Sequence, residues 1–179
     1  MNPRVALRLH PSCSLSEVAT VVAEAFRPSA EVLELRFAAS GRMRELIIPA
    51  PAVPKRTDGL WRSTCFEAFV RREDGGYLEF NLSPSGQWAA YSFTGYRQGI
   101  APLEIDPPAI ETLRRPHSLE LRARIGPLAC PEPWRLGLSA VIAEADGGTG
   151  YWALAHPPGK PDFHHPDCFD LELPAPGRA

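Results

Sequence analysis

The chain has 179 residues, with 19 lysines and arginines against 21 aspartates and glutamates, and a net charge of −2. This length predicts a single domain over 1–179, since a domain commonly takes about 150 residues. The near-neutral charge, with no basic block, excludes the electrostatic attraction that drives binding to nucleic acid or anionic lipid. We therefore expect no nucleic-acid and no membrane partner, and the sequence leaves the oligomeric state open.

The chain contains no apolar run of the length that a signal peptide or a membrane span needs. The first eighteen residues are interrupted by Arg8, His10 and Pro11, which rules out a signal-peptide core. The sequence therefore predicts a soluble, cytoplasmic protein. In that reducing compartment the four cysteines, which form no C-x-x-C pair, are expected to be free thiols, mostly in the core.

In chain order, apolar residues alternate in steps of two between frequent turn residues. This pattern is typical of an all-β protein and predicts an immunoglobulin-like β-sandwich of two antiparallel sheets. Candidate strands come first at 5–9, 32–37 and 46–48. The 15–26 segment fits a helix, because Ser14 and Glu17 match a capping box, or a strand, because it is rich in β-branched residues; we favour the strand.

A proline-rich connection over 49–59 leads to the clearest hairpin, whose strands flank the turn at 73–76. A third strand at 87–93 completes a meander. The four prolines between 101 and 116 predict a crossing loop, with a helical turn at 109–114. The remaining predicted strands are 118–126, 134–145, 149–155 and 169–174.

The central hairpin carries the most chemistry. If Glu67 lies opposite Asn81, one face of the hairpin presents Cys65, Glu67, Phe69, Tyr77, Glu79 and Asn81. Carboxylates and an amide among aromatic rings suit a sugar-binding surface, because rings stack on sugar C–H faces while polar groups bind hydroxyls. The alternative is a solvated outer face with no ligand, and a one-residue register slip would scatter the group.

Four tryptophans are many for this length. Most are expected in the core, because aromatic side chains usually serve burial. Trp61 and Trp88 lie beside predicted loops, so they are the candidates for an exposed stacking platform.

The 156–168 loop is dense in histidine, aspartate and proline. Four of its side chains could in principle hold zinc: His156, Asp162, His164 and Cys168. Their spacing fits no standard zinc site, so the alternative is a rigid loop whose polar side chains bind local backbone groups. Cys65 or Cys168 could be a nucleophile with a histidine base, but no local signature supports this, and the common hydrolase, nucleotide-binding and metalloprotease motifs are absent.

Three long segments carry a family resemblance: LWRSTCFEAFVR (60–71), YLEFNLSPSGQWAAYSFTGYRQG (77–99) and YWALAHPPGKPDFHHPDCFDLEL (151–173). In these segments the chain resembles the DOMON-like ligand-binding domains. More narrowly, it is similar to a bacterial group often annotated beside UDP-N-acetylmuramate dehydrogenase and related to family-nine carbohydrate-binding modules. The resemblance implies an immunoglobulin-like sandwich with a pocket for a sugar or haem.

The same resemblance places a set of residues on the strands beside the pocket: Trp61, Cys65, Glu67, Phe69, Glu79, Asn81, Ser83, Pro84, Gly86 and Trp88. Tyr96, Arg97 and the 156–168 loop are distinctive of the bacterial group. Haem-binding relatives use an axial methionine and histidine, whereas the only methionines here are Met1 and Met43. That departure counts against haem.

We therefore predict a non-catalytic domain for a small ligand, with a carbohydrate or sugar derivative favoured and no metal or cofactor required. A soluble sugar, a nucleotide sugar or another metabolite would fit a cytoplasmic protein equally well. The predicted ligand-binding residues are Trp61, Glu67, Glu79, Asn81, Trp88, Tyr96 and Arg97. The alternatives are a hydrolase or metal-dependent enzyme using Cys65 or the His164/His165 loop, and a haem-binding domain.

Overall fold

The computed structural model describes residues 4–14, 16–128 and 133–176. This part of the chain forms twelve strands and three short 3-10 helices, so the all-β prediction is confirmed. The strands are β1 (Arg4–Leu9), β2 (Val18–Ser29), β3 (Val32–Gly41), β4 (Cys65–Arg71), β5 (Tyr77–Leu82), β6 (Trp88–Phe93), β7 (Ala101–Pro102), β8 (Ala109–Arg115), β9 (Ser118–Ile125), β10 (Trp134–Ala143), β11 (Thr149–Ala153) and β12 (Leu171–Leu173). The 3-10 helices are Met43–Glu45, Leu60–Arg62 and Pro166–Cys168. No helix in the described ranges has the length and apolar character needed to cross a membrane.

All strand pairs are antiparallel and form one continuous hydrogen-bonded path. The order along the path is β7-β6-β5-β4-β10-β11-β1-β2-β3-β9-β8, with β12 paired to β10. Strand β1 joins the two halves, because Arg4–Leu7 pair with β2 while Arg8 and Leu9 pair with β11. The division into two separate sheets stays a prediction.

The sheet curls so that its two halves pack face to face. We call β1, β2, β3, β9 and β8 the first half, and β11, β10, β4, β5, β6, β7 and β12 the second half. Phe37 of the first half stacks on Phe66 of the second, with ring centroids 5.0 Å apart, although β3 and β4 are not neighbours in the sheet. The main core lies between the halves, and alternate residues of most strands point into it, whereas the edge strands β7 and β8 are mostly exposed.

Two of the predicted local structures are wrong. Residues 46–48 contribute only one bridge, between Leu46 and Glu144, because a 3-10 helix precedes them and Pro49 follows. The expected helical turn at 109–114 is instead strand β8, which pairs with β9 along its whole length. Strand β8 is a mostly exposed edge strand, so it lacks the alternation of apolar residues that would have revealed it.

Other predicted features agree with the structure. Residues 18–26 are extended, as part of β2, so the strand favoured for the 15–26 segment is confirmed there, and residue 15 lies outside the described residues. Cys13, Cys65 and Cys168 are free thiols, and Cys130 lies outside the described residues. The hairpin of β4 and β5 is present with the expected turn between Arg71 and Tyr77.

Candidate ligand-binding cleft

The register of the central hairpin decides which side chains share its outer face. Glu67 lies opposite Asn81 and Phe69 opposite Glu79, as predicted. The even-numbered neighbours Phe66 and Phe80 point into the main core, so the odd-numbered residues face outward. Strand β10 extends this outer face, because Ser139 pairs with Glu67 and Val141 with Cys65.

This outer face is not solvated. Glu67, Glu79 and Asn81 are only 4%, 6% and 0% exposed, because the segment from 154 to 170 folds back over the sheet. Aromatic residues of the segment and of the sheet form a second apolar cluster that includes Phe69, Tyr77, Phe93, Phe163 and Phe169. The alternative of a wet outer face is therefore wrong.

A glycine lets the covering segment come close to the sheet. At Gly137 of β10, an added Cβ would lie 3.1 Å from the carbonyl oxygen of Cys168. Cys168 in turn donates from Sγ towards the carbonyl oxygens of Ala155 and Asp162, each at 3.3 Å. The segment is thus closed on itself and seated on the backbone of β10.

Side-chain bonds tie the covering segment to the strands as well. The Tyr77 hydroxyl and His164 Nδ1 are 2.7 Å apart, and Arg97 Nη2 donates to Asp162 Oδ1 at 2.7 Å. The Tyr96 hydroxyl also donates to Asp162. These bonds hold the segment at a fixed place over the outer face.

Beside the covering segment the outer face opens into a cleft of about 620 Å³. Such a volume lies within the usual range for small-molecule sites, about 300–1,000 Å³. It is lined by Asp58, Gly59, Trp61, Arg62, Glu67, Glu79, Tyr91, Arg97, Ile100, Val141, Tyr151, Lys160, Pro161, Phe163 and His164. Four predicted site residues are brought together here: Trp61, Glu67, Glu79 and Arg97.

The two carboxyl groups on the floor of the cleft are held by neutral partners. Ser139 Oγ donates to Glu67 Oε2 at 3.2 Å, and Asn81 Nδ2 donates to Glu79 Oε1 at 2.9 Å. Asn81 therefore takes part in the site from beneath, as the residue that orients Glu79. Within the described part of the chain, neither carboxyl forms a salt bridge with an arginine or lysine.

Burial, together with the charge of Glu79, raises the pKa of Glu67 to about 8. Burial also raises the pKa of Glu79, and the Asn81 hydrogen bond and the Arg97 charge oppose that rise. Both carboxyl groups thus favour the protonated form, and we expect the pair to hold a proton at neutral pH. Together they offer hydroxyl donor and oxygen acceptor positions within one site.

His164 does not supply a counter-charge to this pair. Its Nε2 lies 3.9 Å from Glu79 Oε2, but burial and the Arg97 charge lower the pKa of His164 to about 4. It is neutral at pH 7, with Nδ1 beside the Tyr77 hydroxyl.

Trp88 is not an exposed stacking platform, which corrects the sequence interpretation. It lies opposite Leu82, an even-numbered core residue, and is 6% exposed within the main core. The parity of the strand therefore turns its indole to the face opposite the cleft. Trp61 is 51% exposed and lines the cleft.

Tyr96 lines a neighbouring cavity of about 420 Å³ rather than the cleft itself. Arg97 borders both cavities and adopts a left-handed backbone with φ of 54°. Its backbone N–H donates to the Tyr77 hydroxyl at 3.3 Å. The Tyr96–Arg97 pair thus fastens the covering segment at the edge of the cleft.

The residues considered for zinc or nucleophilic chemistry either lie apart from one another or already form hydrogen bonds with other groups. His156 Nε2 lies 2.7 Å from the Arg8 carbonyl oxygen, whereas His165 Nδ1 accepts from the Asp167 backbone. In the described ranges, no three histidine, cysteine, aspartate or glutamate side chains are grouped as metal ligands. Burial and the Glu67 charge raise the pKa of the fully buried Cys65, so its sulfur is held as a thiol.

The methionines do not favour a haem site. Met43 is 2% exposed and belongs to the main core, away from the cleft. Met1 lies outside the described residues.

A solved structure shares this fold. It comes from Bacteroides uniformis, and the protein is described as a "putative carbohydrate-binding protein". The TM-score is 0.60, with 13% identity over 93% of this chain and 86% of that chain. At this identity the likeness shows the fold alone. No protein-family model and no curated protein sequence matches the chain.

Sequence reasoning missed several residues of the cleft. Tyr151 and Val141 pair with each other on β11 and β10 and continue the odd-numbered outer face. Their alternation was visible, but the sheet order that places them beside β4 was not. Tyr91 and Asp58, whose side chains share a 2.6 Å hydrogen bond, come together only because the proline-rich connection runs past β6.

Proposed function

We propose that the protein is a non-catalytic domain that binds a carbohydrate or sugar derivative in the cleft. The observation that carries the proposal is the carboxyl pair, Glu67 and Glu79, buried on the floor of an open cleft with aromatic walls. A hydroxylated ring would accept a hydrogen bond from one carboxyl and donate to the other. Buried polar groups gain most from a partner when a ligand displaces water from them.

Aromatic side chains provide the second requirement of sugar binding. Trp61, Tyr91 and Tyr151 all line the cleft, and Trp61 leaves half of its surface open. Such rings pack against the C–H faces of a sugar, while the carboxyl groups form hydrogen bonds with its hydroxyls. The description of the Bacteroides protein as carbohydrate-binding is consistent with this proposal.

The proposal includes the finer interpretation of the fold. We infer an immunoglobulin-like sandwich of the DOMON-like class, in which β1 passes between two sheets. The packing of Phe37 against Phe66 across the main core supports it. We also keep the cytoplasm as the proposed location, on the sequence argument alone.

The proposal is tested by a carbohydrate screen using thermal shift, followed by calorimetry on each hit. For a sugar that binds in the cleft, Trp61→Ala and Glu79→Ala should each weaken binding by about one to two decades, since removing a stacking or hydrogen-bonding group costs roughly 1–3 kcal/mol. The matched controls are Leu113→Ala and Glu104→Ala, which remove exposed side chains outside the cleft.

The controls should bind the hit as the wild type does. Circular dichroism and melting curves establish that each variant is folded before its affinity is compared. A hit that binds both cleft variants with unchanged affinity would move the site elsewhere, and a screen without any carbohydrate hit would overturn the proposal.

A further inference from the structure

The floor and the edge of the cleft differ in charge. On the floor, Glu67 and Glu79 stand on adjacent strands, and His164 beside them is neutral. At the edge, Arg97 directs its guanidinium to Asp162 rather than to the floor. Among the described residues, the charged and titratable groups that line or border this floor are Asp58, Arg62, Cys65, Tyr77, Tyr91, Arg97, Tyr151, Lys160 and His164.

The carboxyl pair thus forms no ion pair with an arginine or lysine of the described residues, and the Arg97 charge reaches Glu79 only from its ion pair with Asp162. Two carboxyls this close and this buried cannot both ionise cheaply, because each charge disfavours the other and water is scarce. The free protein resolves this by keeping a proton on the pair. A ligand cation would resolve it equally well, and it would allow both groups to ionise.

The walls of the cleft also suit a cation. Tyr91, Tyr151 and Phe163 line it, and the faces of aromatic rings attract ammonium groups. Arg62 lies over the Trp61 ring, 5.2 Å from the centroid, at the exposed side of the cleft. Lys160 is exposed as well, so solvent screens both charges from the floor.

We propose that the ligand is an amino sugar, whose protonated amine binds between Glu67 and Glu79 while its ring packs against the aromatic wall. This inference rests on the proposed function and names the ligand class for the same cleft. When the ammonium enters, the carboxyl pair gives its proton to the solvent and the amine keeps its own. Binding therefore exchanges a proton for a ligand cation.

The experiment compares matched sugars by calorimetry at pH 6.5, with indole NMR shifts for weak binders. The panel contains glucose, galactose and mannose, each with its 2-amino and its N-acetylamino form. The N-acetyl form keeps the ring and the nitrogen but removes the positive charge. We expect at least one amino sugar to bind at least tenfold more tightly than its neutral and N-acetylated counterparts.

Two further readouts separate charge recognition from a structural effect. In buffers with different ionisation enthalpies, the amino sugar should release part of a proton per ligand bound, and a neutral sugar should release none. Glu67→Gln cannot ionise, so it cannot supply the second negative charge that would pair with the ammonium. It should therefore reduce the amine preference to less than threefold, while Glu104→Gln leaves that preference intact.

The outcomes separate a failure of the amino-sugar inference from a failure of the proposed carbohydrate binding. If neutral sugars bind in the cleft as tightly as amino sugars, the amino-sugar inference is overturned while the carbohydrate-binding proposal stands. An amine preference that survives in Glu67→Gln would also overturn the amino-sugar inference. If no member of the panel binds, both the amino-sugar inference and the carbohydrate proposal fail.

Discussion

The two halves of the sheet treat the carboxylates on their outer faces in opposite ways. In the first half, Arg36 binds Glu24 and Glu120, each at 2.9 Å, and Arg122 binds Glu120 at 2.7 Å. The Arg36 and Arg122 hydrogen bonds lower the pKa of Glu120 to about 2, although partial burial opposes the shift. In the second half, no arginine of the described residues forms an ion pair with Glu67, and the pKa of Glu67 is raised to about 8.

The difference comes from what lies above each face. The first half is open to water and stabilises its carboxylates with a ladder of arginines, which is how a solvated sheet surface commonly looks. The second half is covered by the segment from 154 to 170, which removes water; its lysine, Lys160, is exposed and forms no ion pair with Glu67 or Glu79 among the described residues. Groups with strongly shifted pKa values are concentrated at functional sites, and this contrast is why we propose the second half as the binding face.

The largest expected effect on the free energy of unfolding is that of Glu67→Gln at high pH. In the unfolded chain Glu67 ionises near pH 4.5, whereas in the folded protein it keeps its proton to about pH 8. The folded state therefore binds more protons in this window, and Glu67 makes stability fall as pH rises through it. At pH 9 the variant should be more stable than the wild type by about 2–4 kcal/mol, and nearly equal at pH 4, in urea unfolding.

Glu104→Gln is the control for this series and should follow the wild type at both pH values, because Glu104 is exposed. If Glu67→Gln gains nothing at pH 9, the pKa of Glu67 is not raised in the folded protein. The contrast between the two halves would then disappear.

The second substitution, Glu120→Gln, should change the free energy of unfolding in the opposite direction. The folded-state pKa of Glu120 lies below its ordinary value, so its contribution is present above about pH 4.5 and is lost as pH falls towards 2. Glu120→Gln should therefore cost about 1–2 kcal/mol at pH 7, less than a fully buried pair would, because Arg36 and Arg122 are largely solvated. The cost should shrink at pH 3, again by urea unfolding; a cost that is equal at both pH values would contradict the ion-pair assignment.

A smaller effect is expected where the covering segment is tied down. Tyr77→Phe removes the hydroxyl between His164 and the Arg97 backbone, which should cost about 1 kcal/mol. Hydrogen exchange should rise in 160–168 and stay unchanged in the first half. Tyr151→Phe is the control, because the Tyr151 hydroxyl makes no hydrogen bond to the described residues. Equal exchange in both variants would show that the Tyr77 hydroxyl does not hold the covering segment in place.

How far the sequence predicts this molecule depends on the range of the contacts. The β4–β5 hairpin and its register could be predicted, because a short turn and period-two alternation are local signals. The pairing of Glu67 with Ser139, 72 residues away, could not, since nothing local specifies which strand lies beside β4. Glu67 and Glu79 were therefore found, but their burial beneath the covering segment was not.

The error at Trp88 has the same origin. Its place beside a loop suggested exposure, but its pairing with Leu82 puts it on the core face. If the register of the hairpin is extended to β6, Trp88 falls opposite Leu82, whose side chain faces the core, and its burial can then be predicted. The cleft residues of β10 and β11 depend on sheet order, so parity alone does not reach them.

The smallest expected effect on stability is at Trp61, the aromatic residue at the open side of the cleft. Half of its surface is exposed, and it belongs to a short 3-10 helix without buried residues. Trp61→Ala should therefore change the free energy of unfolding by no more than about 0.5 kcal/mol, as surface substitutions usually do. Trp134, fully buried in the main core, is the reference, because Trp134→Ala should cost about 3–5 kcal/mol. Urea unfolding of both variants measures the difference, and a Trp61 cost approaching that of Trp134 would make this indole part of the scaffold instead of a surface left open for a ligand.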